Sequence, residues 1–229
     1  MFRELLDLIA PRSCVMCGER LETDEEFICQ SCAAELPRTG FQRAPYENMM
    51  AQLFWGLMPV ERAVAWFYYA PSTKTSQIIY DLKYHNKPEI GVTMGQAVAR
   101  ELSADGFFEG IDVILPVPLA KERRRQRGYN QSEMIARGVS QETSIPVVTD
   151  VVKRLHFEQS QTHLDRWERL KNVEKQFKAV NAESLSGKHV LVVDDVTTSG
   201  ATIIACATAL NPKANNIRFS VLTLGFTHS

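Results

Sequence analysis

His189-Val190-Leu191-Val192-Val193-Asp194-Asp195-Val196-Thr197-Thr198-Ser199-Gly200-Ala201-Thr202 runs from an unbroken apolar segment into two adjacent carboxylates, a set of hydroxyls and a glycine. An apolar run without alternation predicts a strand buried on both faces, here over 189–193, of the kind found in parallel sheets. The segment behind the glycine predicts a helix over 201–210. Ligands of open α/β sheets bind beyond the carboxyl ends of the strands, which is where Asp194 and Asp195 fall. The chemistry suits a sugar phosphate. Carboxylates accept from ribose hydroxyls, and the free amides and dipole of a helix N-terminus attract a phosphate. Gly200 lets the backbone come close, and Thr197, Thr198, Ser199 and Thr202 add hydroxyl donors. Two carboxylates beside a diphosphate also call for Mg²⁺, which takes oxygen ligands and bridges phosphates. The plainer alternative, a strand-to-helix turn capped by Asp and Thr, needs one such residue rather than this many.

A second constellation is Cys14-x-x-Cys17 with Cys29-x-x-Cys32. Each pair can present two thiolates to one ion, and two pairs complete a tetrahedral Cys₄ zinc site in which the protein supplies every ligand. Such a site is structural. Gly18 suits the turn after the first pair. Two disulfides are the alternative; the start of the chain reads as an amphipathic helix over Met1–Ile9 rather than an export signal, which favours a reducing compartment and thiols. Cys206 lies in the helix after the phosphate loop and reads as a small core residue.

The third feature is Leu115-Pro116-Val117-Pro118-Leu119, then Lys121-Glu122-Arg123-Arg124-Arg125-Gln126-Arg127-Gly128-Tyr129-Asn130-Gln131. A strand over 111–115 stops at prolines that cannot continue a ladder. Arg123, Arg124, Arg125 and Arg127 carry forked donors suited to phosphate oxygens, while Tyr129 and Asn130 add a stacking face and an amide. The reading is a polyanion loop for a diphosphate, a nucleic-acid backbone, or both. A solvated, charged helix start is the alternative. Lys83, in Asp81-Leu82-Lys83-Tyr84-His85, ends a helical stretch, where a cation also complements the helix dipole. The basic but mixed stretch 153–171 reads as a flap or nucleic-acid contact, or as a plain surface helix.

Lys+Arg number 26 and Asp+Glu 27, giving a net charge of −1, so DNA binding would need a local basic patch. Hydrophobic residues make up 45% and charged residues 23% of the 229, an ordinary globular balance with room for one large core and a small module. No apolar run approaches the ~18 residues of a membrane span. The acids Glu22, Asp24, Glu25 and Glu26 make the cysteine module a poor contact for a DNA backbone. Punctuation divides the chain into a helix and zinc module (1–36), a linker and an apolar packing helix over Met49–Met58 (37–59), and an alternating α/β region (60–229). In that last region strands are expected over 63–69, 111–115, 146–152, 189–193 and 217–224. The helices between them fall over 73–84, 90–102, 130–140, 163–175 and 201–210. Alternation of this kind predicts a mainly parallel sheet covered on both faces.

The stretch Asp194–Thr202 resembles the 5-phosphoribosyl 1-diphosphate (PRPP) motif of type I phosphoribosyltransferases, with Ser199 where Thr or Gly is usual. That resemblance implies Asp194 and Asp195 on the ribose 2′- and 3′-hydroxyls and Thr198–Thr202, with Val196 and Thr197 leading in, around the 5′-phosphate. The full set resembles the ComF (competence protein F) family over nearly the whole chain. It comprises the N-terminal helix ending at Pro11, the Cys₄ module, Leu82-Lys83-Tyr84-His85, Pro116–Leu119, Arg127–Gln131, Gln161 with Arg166 to Asn172, and the PRPP motif. The resemblance implies a phosphoribosyltransferase-like domain behind a zinc module and a cytoplasmic role in natural transformation. Its partners would be single-stranded DNA, a DNA-translocating helicase and a recombination mediator. The DNA would meet Arg123–Arg127 and stack on Tyr129 or Trp167. Competing expectations are an active Mg²⁺-dependent phosphoribosyltransferase with Asp194 and Asp195 at its centre, and a PRPP-sensing regulator.

Overall fold

The computed structural model describes residues 12–84, 87–155 and 176–227. The expected helices at Met1–Ile9 and 163–175, and His85, Gln161, Arg166 to Asn172 and Trp167, lie outside them.

The sheet has four strands: β1 (Val60–Tyr68), β2 (Val113–Pro116), β5 (His189–Thr197) and β6 (Arg218–Phe226). All neighbours are parallel, in the order β1-β6-β5-β2. β5 is flanked on both sides, which explains its unbroken valine and leucine run: Val190 to Val193 are fully buried. β2 stops pairing at Pro116, opposite Val193, whereas β6 pairs with β5 as far as Thr197. The strand expected to end at Val193 therefore runs four residues further, and Asp194 and Asp195 sit inside it. They occupy the stretch where β2 no longer covers that side: Val117 still donates to the Val193 carbonyl at 2.9 Å, after which the chain leaves the ladder at Pro118. Beyond β2, the strand expected over 146–152 shrinks to a single bridge, Ile114 with Val147, and two backbone bonds. Its end belongs instead to an antiparallel pair, β3 (Val152–Arg154) with β4 (Phe177–Ala179).

The opposite edge of the sheet is covered by the chain that leads into it. Tyr68 donates its amide to Pro37 and Thr39 donates to Trp66, so segment 37–39 lies antiparallel along β1 and shields an otherwise open edge. Of the apolar segment 49–58, only Met49–Gln52 (α2) is helical, capped by the Asn48 side chain; turns follow, with Gly56 at φ +73°. Phe54, fully buried, lies beneath Gly200. The cysteine module, including α1 (Gln30–Glu35), joins the same hydrophobic core through Val15, Met16, Leu21 and Phe27. Phe27 packs 6.3 Å from the Trp66 ring.

Helices α3 (Lys74–Tyr84), α4 (Pro88–Ser103), α6 (Gln131–Thr143) and α7 (Ala201–Ala209) pack around the sheet, with the short α5 (Lys121–Arg127) before α6 and α8 (Pro212–Asn215) after α7. α4 and α6 touch at Gly91, Gly95 and Gly138. A methyl built on Gly138 would lie 2.0 Å from the Val92 carbonyl oxygen, and one on Gly95 2.2 Å from that of Ile135. Backbone cannot yield as a side chain does. Gly138→Ala is therefore expected to destabilise by about 3 kcal/mol or more, well beyond the roughly 1 kcal/mol that alanine gains in helix propensity. Urea unfolding reads this directly, and an unchanged or stabilised variant would refute the close crossing.

Candidate functional site

Asp194 and Asp195 open into a cavity of about 280 Å³ beyond the end of β2. Asp195 Oδ2 is paired with Lys83 Nζ at 3.0 Å, where α3 ends. Asp194 Oδ1 accepts from the Ser132 hydroxyl at 2.8 Å and from the Asp195 amide at 2.9 Å. The Asp195 Oδ1 accepts from the Val196 amide at 2.7 Å. Burial, reinforced by the neighbouring charge of Asp195, pushes the Asp194 carboxyl up to about 7, against the pull of Ser132, the Asp195 amide and Lys83. The site thus holds a carboxyl that is half-ionised near neutrality, a condition associated with functional carboxylates.

Arg123, Arg127 and Arg154 line the same cavity. Burial lowers the pKa of the Arg123 guanidinium, and so does the like charge of Arg127; Tyr84 and Asp195 act in the opposite direction. Burial also lowers that of Arg154, opposed by the Asp194 carboxylate. Arg154 donates to Gln176 Oε1 at 2.9 Å and lies over the Phe177 ring. Among the described residues, Gln131 Nε2 and Arg154 Nε are buried without a hydrogen-bond partner, and both side chains face this cavity. Buried donors left unmet are rare; those of Gln131 and Arg154 stand where a ligand in the cavity would meet them, whereas a third, Arg62 Nε, is not part of its lining.

The arginine-rich segment is the helix α5 rather than a loop, closed by Gly128 in the left-handed region at φ +79°. Helical spacing separates its cations. Arg123 and Arg127, one turn apart, are half-buried and point inward, while Arg124 and Arg125 are exposed. Arg125 borders a second, outer cavity of about 670 Å³. Arg124 faces a third and lies 3.9 Å from Glu133. Asn130 donates to the Val117 carbonyl at 3.0 Å and so fixes the Pro116–Leu119 turn. The stacking face expected of Tyr129 is absent. Its ring is 8% exposed and its hydroxyl donates to the Leu82 carbonyl at 2.6 Å, because an amphipathic ring buries well once its hydroxyl finds an acceptor.

Of the PRPP-motif residues, Val196 and Thr202 line the inner cavity alongside the two aspartates. Thr197 is buried, Thr198 exposed and Ser199 half-buried. Gly200 caps α7 at φ +75°, and a methyl there would meet the Phe54 ring at 3.0 Å. The first amides of α7 lack intrahelical acceptors. Sequence reading missed Ser132, quoted Gln131 without a role, and placed Arg154 only in the basic stretch 153–171, read as a flap or nucleic-acid contact, not beside the carboxylates. Ser132 directly follows the quoted motif, but Arg154 reaches the cavity only through the β3–β4 pairing.

At the other end of the molecule, the Sγ atoms of Cys14, Cys17, Cys29 and Cys32 lie within 4.8 Å of one another. Bonds of about 2.3 Å in a tetrahedral zinc–thiolate site would separate the sulfurs by about 3.8 Å, and Cys17 and Cys29 Sγ are 3.8 Å apart. Gly18, at φ +77°, closes the first turn with an amide bond to the Cys14 carbonyl at 2.8 Å, and the Cys29 amide points at Cys14 Sγ. The five cysteines are unpaired in the structure, and the four sulfurs of the module gather around one point. The cluster can hold a metal such as zinc. Cys206 is fully buried in α7, as expected. Among the described residues no helix is long and apolar enough to cross a membrane.

Residues 88–223 match the phosphoribosyl transferase domain family. The chain is 25% identical over 213 residues to the DNA utilization protein YhgH of Salmonella typhimurium, covering 89% of this chain and 92% of that one. It is 34% identical over 132 residues to competence protein F of Haemophilus influenzae, covering 56% of this chain and 58% of that protein. Competence protein ComFC of Bacillus subtilis is 33% identical over 112 residues, 49% of this chain and 43% of that one. The parallel sheet, the carboxylate pair within β5 beyond the end of β2, the four-cysteine cluster and these matches agree: the chain belongs to the phosphoribosyltransferase domain family and, within it, to the ComF proteins.

Proposed function

We propose that this protein is a DNA-uptake factor that handles incoming single-stranded DNA and carries a PRPP-binding site. The observation that supports it is the Asp194–Asp195 pair facing a cavity ringed by Lys83, Arg123, Arg127 and Arg154. In this reading the carboxylates accept from the ribose 2′- and 3′-hydroxyls. The loop Thr198–Thr202 and the N-terminus of α7 hold the 5′-phosphate. Lys83, Arg123 and Arg127 meet the diphosphate, and Gln131 Nε2 gains an acceptor. Lys83 and Asp195 neutralise each other without ligand, and a ribose arriving with a diphosphate gives each a new partner. Asp194 Oδ1 and both carboxylate oxygens of Asp195 are engaged, so Asp194 Oδ2 together with ligand oxygens would hold Mg²⁺. When bound, it supplies charge neutralisation of the diphosphate.

The DNA component of this reading rests on the names of the relatives and on the local basic patch. Zinc would hold the 12–36 module together as a structural unit, separate from a packing segment over 37–59 and the phosphoribosyltransferase-like region from 60 onward. A cytoplasmic setting, a DNA-translocating helicase and a recombination mediator complete the picture as partners.

Titrating PRPP with Mg²⁺ into zinc-loaded protein by calorimetry tests the site. Binding is expected in the wild type and is expected to vanish in Asp194→Ala/Asp195→Ala; heat that persists in the variant, or none in the wild type, would overturn the assignment. DNA binding should weaken with salt. Arg123→Ala and Arg125→Ala should each weaken it more than Arg124→Ala, whose side chain faces away. The near-neutral Asp194 carboxyl favours a second reading, a phosphoribosyltransferase in which this group holds or releases a proton. That reading requires PRPP turnover that Asp195→Asn abolishes. PRPP binding without turnover but with altered DNA affinity would instead identify a sensor.

A further inference from the structure

We infer that Gln131 makes the inner cavity selective for a sugar phosphate that also carries a diphosphate, over the same sugar with its 5′-phosphate alone, by donating its side-chain amide to a diphosphate oxygen. The inference rests on the PRPP reading above and names the residue that sets its specificity. Gln131 is 2% exposed and lines the carboxylate cavity. Its Oε1 accepts from an Arg127 guanidinium N–H at 2.9 Å. Arginine can only donate, so this contact fixes which end of the amide is oxygen and which is nitrogen. Among the described residues, the nitrogen end, Nε2, is buried without a hydrogen-bond partner. The residues on either side are committed to the protein. Asn130 donates to the Val117 carbonyl at 3.0 Å, and the Ser132 hydroxyl donates to Asp194 Oδ1 at 2.8 Å. All three line the cavity, and of the three Gln131 alone holds a side-chain donor that the protein leaves unmet.

The surrounding chemistry decides which ligand oxygen Nε2 meets. The two ends of one carboxamide are adjacent, so an oxygen that reaches Nε2 also comes close to the Arg127 guanidinium. Both groups are donors. A ribose hydroxyl would bring one more proton to a place where Gln131 Oε1 is already engaged by Arg127. A phosphate oxygen brings charge and no proton, and it gains charge-assisted bonds. Lys83 and Arg123, in the same cavity, favour the same choice. So does the start of α6. Asn130, its N-cap residue, makes no side-chain cap, and the positive end of this 13-residue helix attracts an anion. The 5′-phosphate has its own seat at Thr198–Thr202 and the start of α7 in the PRPP reading. The group that falls to Gln131 is therefore the diphosphate.

The test uses calorimetry on the zinc-loaded full chain with Mg²⁺ and three ligands: PRPP, inorganic pyrophosphate and ribose 5-phosphate. Gln131→Glu keeps an oxygen for Arg127 and puts a second, anionic oxygen where Nε2 stood. It is expected to lose PRPP affinity by about tenfold or more, the worth of a hydrogen bond to a charged group. Gln131→Met fills similar space without the donor and should lose less than Gln131→Glu, because it adds no repulsion. Pyrophosphate should weaken in step with PRPP in both variants. Ribose 5-phosphate, read by its displacement of PRPP, should bind both variants as it binds the wild type. A merely structural role for Gln131 would weaken all three ligands together. Wild-type PRPP affinity in Gln131→Glu, pyrophosphate binding that does not change, or a loss of ribose 5-phosphate that matches the loss of PRPP would overturn the role of Gln131 and leave the PRPP site standing. A wild-type protein that binds no PRPP would overturn both.

Discussion

Replacing Cys14 or Cys32 by serine is expected to release the metal and unfold the module over residues 12–36, while the sheet domain stays folded. Metal binding and folding are one equilibrium in modules of this size. Apparent binding energies of structural zinc reach ~10–16 kcal/mol, more than such a short segment can recover from its own core. Cys14 and Cys32 are 2% and 3% exposed, so each serine also leaves a polar hydroxyl inside a packed site. What remains is a handful of apolar contacts, Val15, Met16, Leu21 and Phe27 against the larger core, and exposed ion pairs such as Lys74 with Glu35, which contribute little. Limited proteolysis should cut the variants within 12–36 under conditions where the wild type resists. Elemental analysis should find stoichiometric zinc in the wild type and in Cys206→Ser, and none in Cys14→Ser. Chelation should reproduce the serine phenotype. Wild-type protein that lacks metal, or that keeps its proteolytic resistance after chelation, would sink the assignment.

The sequence disclosed those parts of the molecule whose local chemistry has a single structural solution. The β5–loop–α7 unit was readable because an unbroken valine run needs cover on both faces and because Gly200 and the hydroxyls have few other uses in a row. The cysteine cluster was readable because two C-x-x-C pairs specify one tetrahedron. Strand limits were not, since β5 continues through two aspartates only because β6 keeps pairing beside it. Helix α5 was hidden by its composition: among its seven residues no apolar periodicity marks a face, and its stop at Gly128 emerges from backbone geometry. Tyr129 and Tyr84 illustrate the limit well. Both are tyrosines beside basic residues, and only the fold decides that one is buried against Leu82 and the other stands in solvent. Arg154 entered the site through a tertiary pairing, β3 with β4, that no local pattern encodes.

Asp194→Asn is expected to make the ligand-free protein more stable at pH 8 while weakening PRPP binding by more than tenfold. In the unfolded chain the carboxyl titrates near 3.8, and in the fold at about 7. The folded state therefore favours the protonated form. Its contribution to stability is fully present below the unfolded value and is lost as the pH rises through 7. Above that, the wild type carries a buried charge beside the charge of Asp195. Asparagine removes it and keeps the geometry, because the two donors that reach Asp194, the Ser132 hydroxyl and the Asp195 amide, both bind Oδ1. Three pH units would correspond to ~4 kcal/mol; the solvent that reaches the half-buried carboxyl reduces this to about 2 kcal/mol, or roughly 4–8 °C in thermal midpoint. The gain should appear at pH 8 and disappear near pH 5, where the wild-type carboxyl is already neutral. An equal gain at both values, or none at pH 8, would mean that Asp194 is not held near neutrality. The affinity loss follows from the same substitution, since a hydrogen bond to a charged acceptor contributes about 1.5–3 kcal/mol where a neutral one contributes about 0.5–1.5. A residue whose neutral amide stabilises the fold and whose carboxylate serves the ligand is held in place by binding, and the pH-dependent thermal midpoint measures what that charge takes from stability.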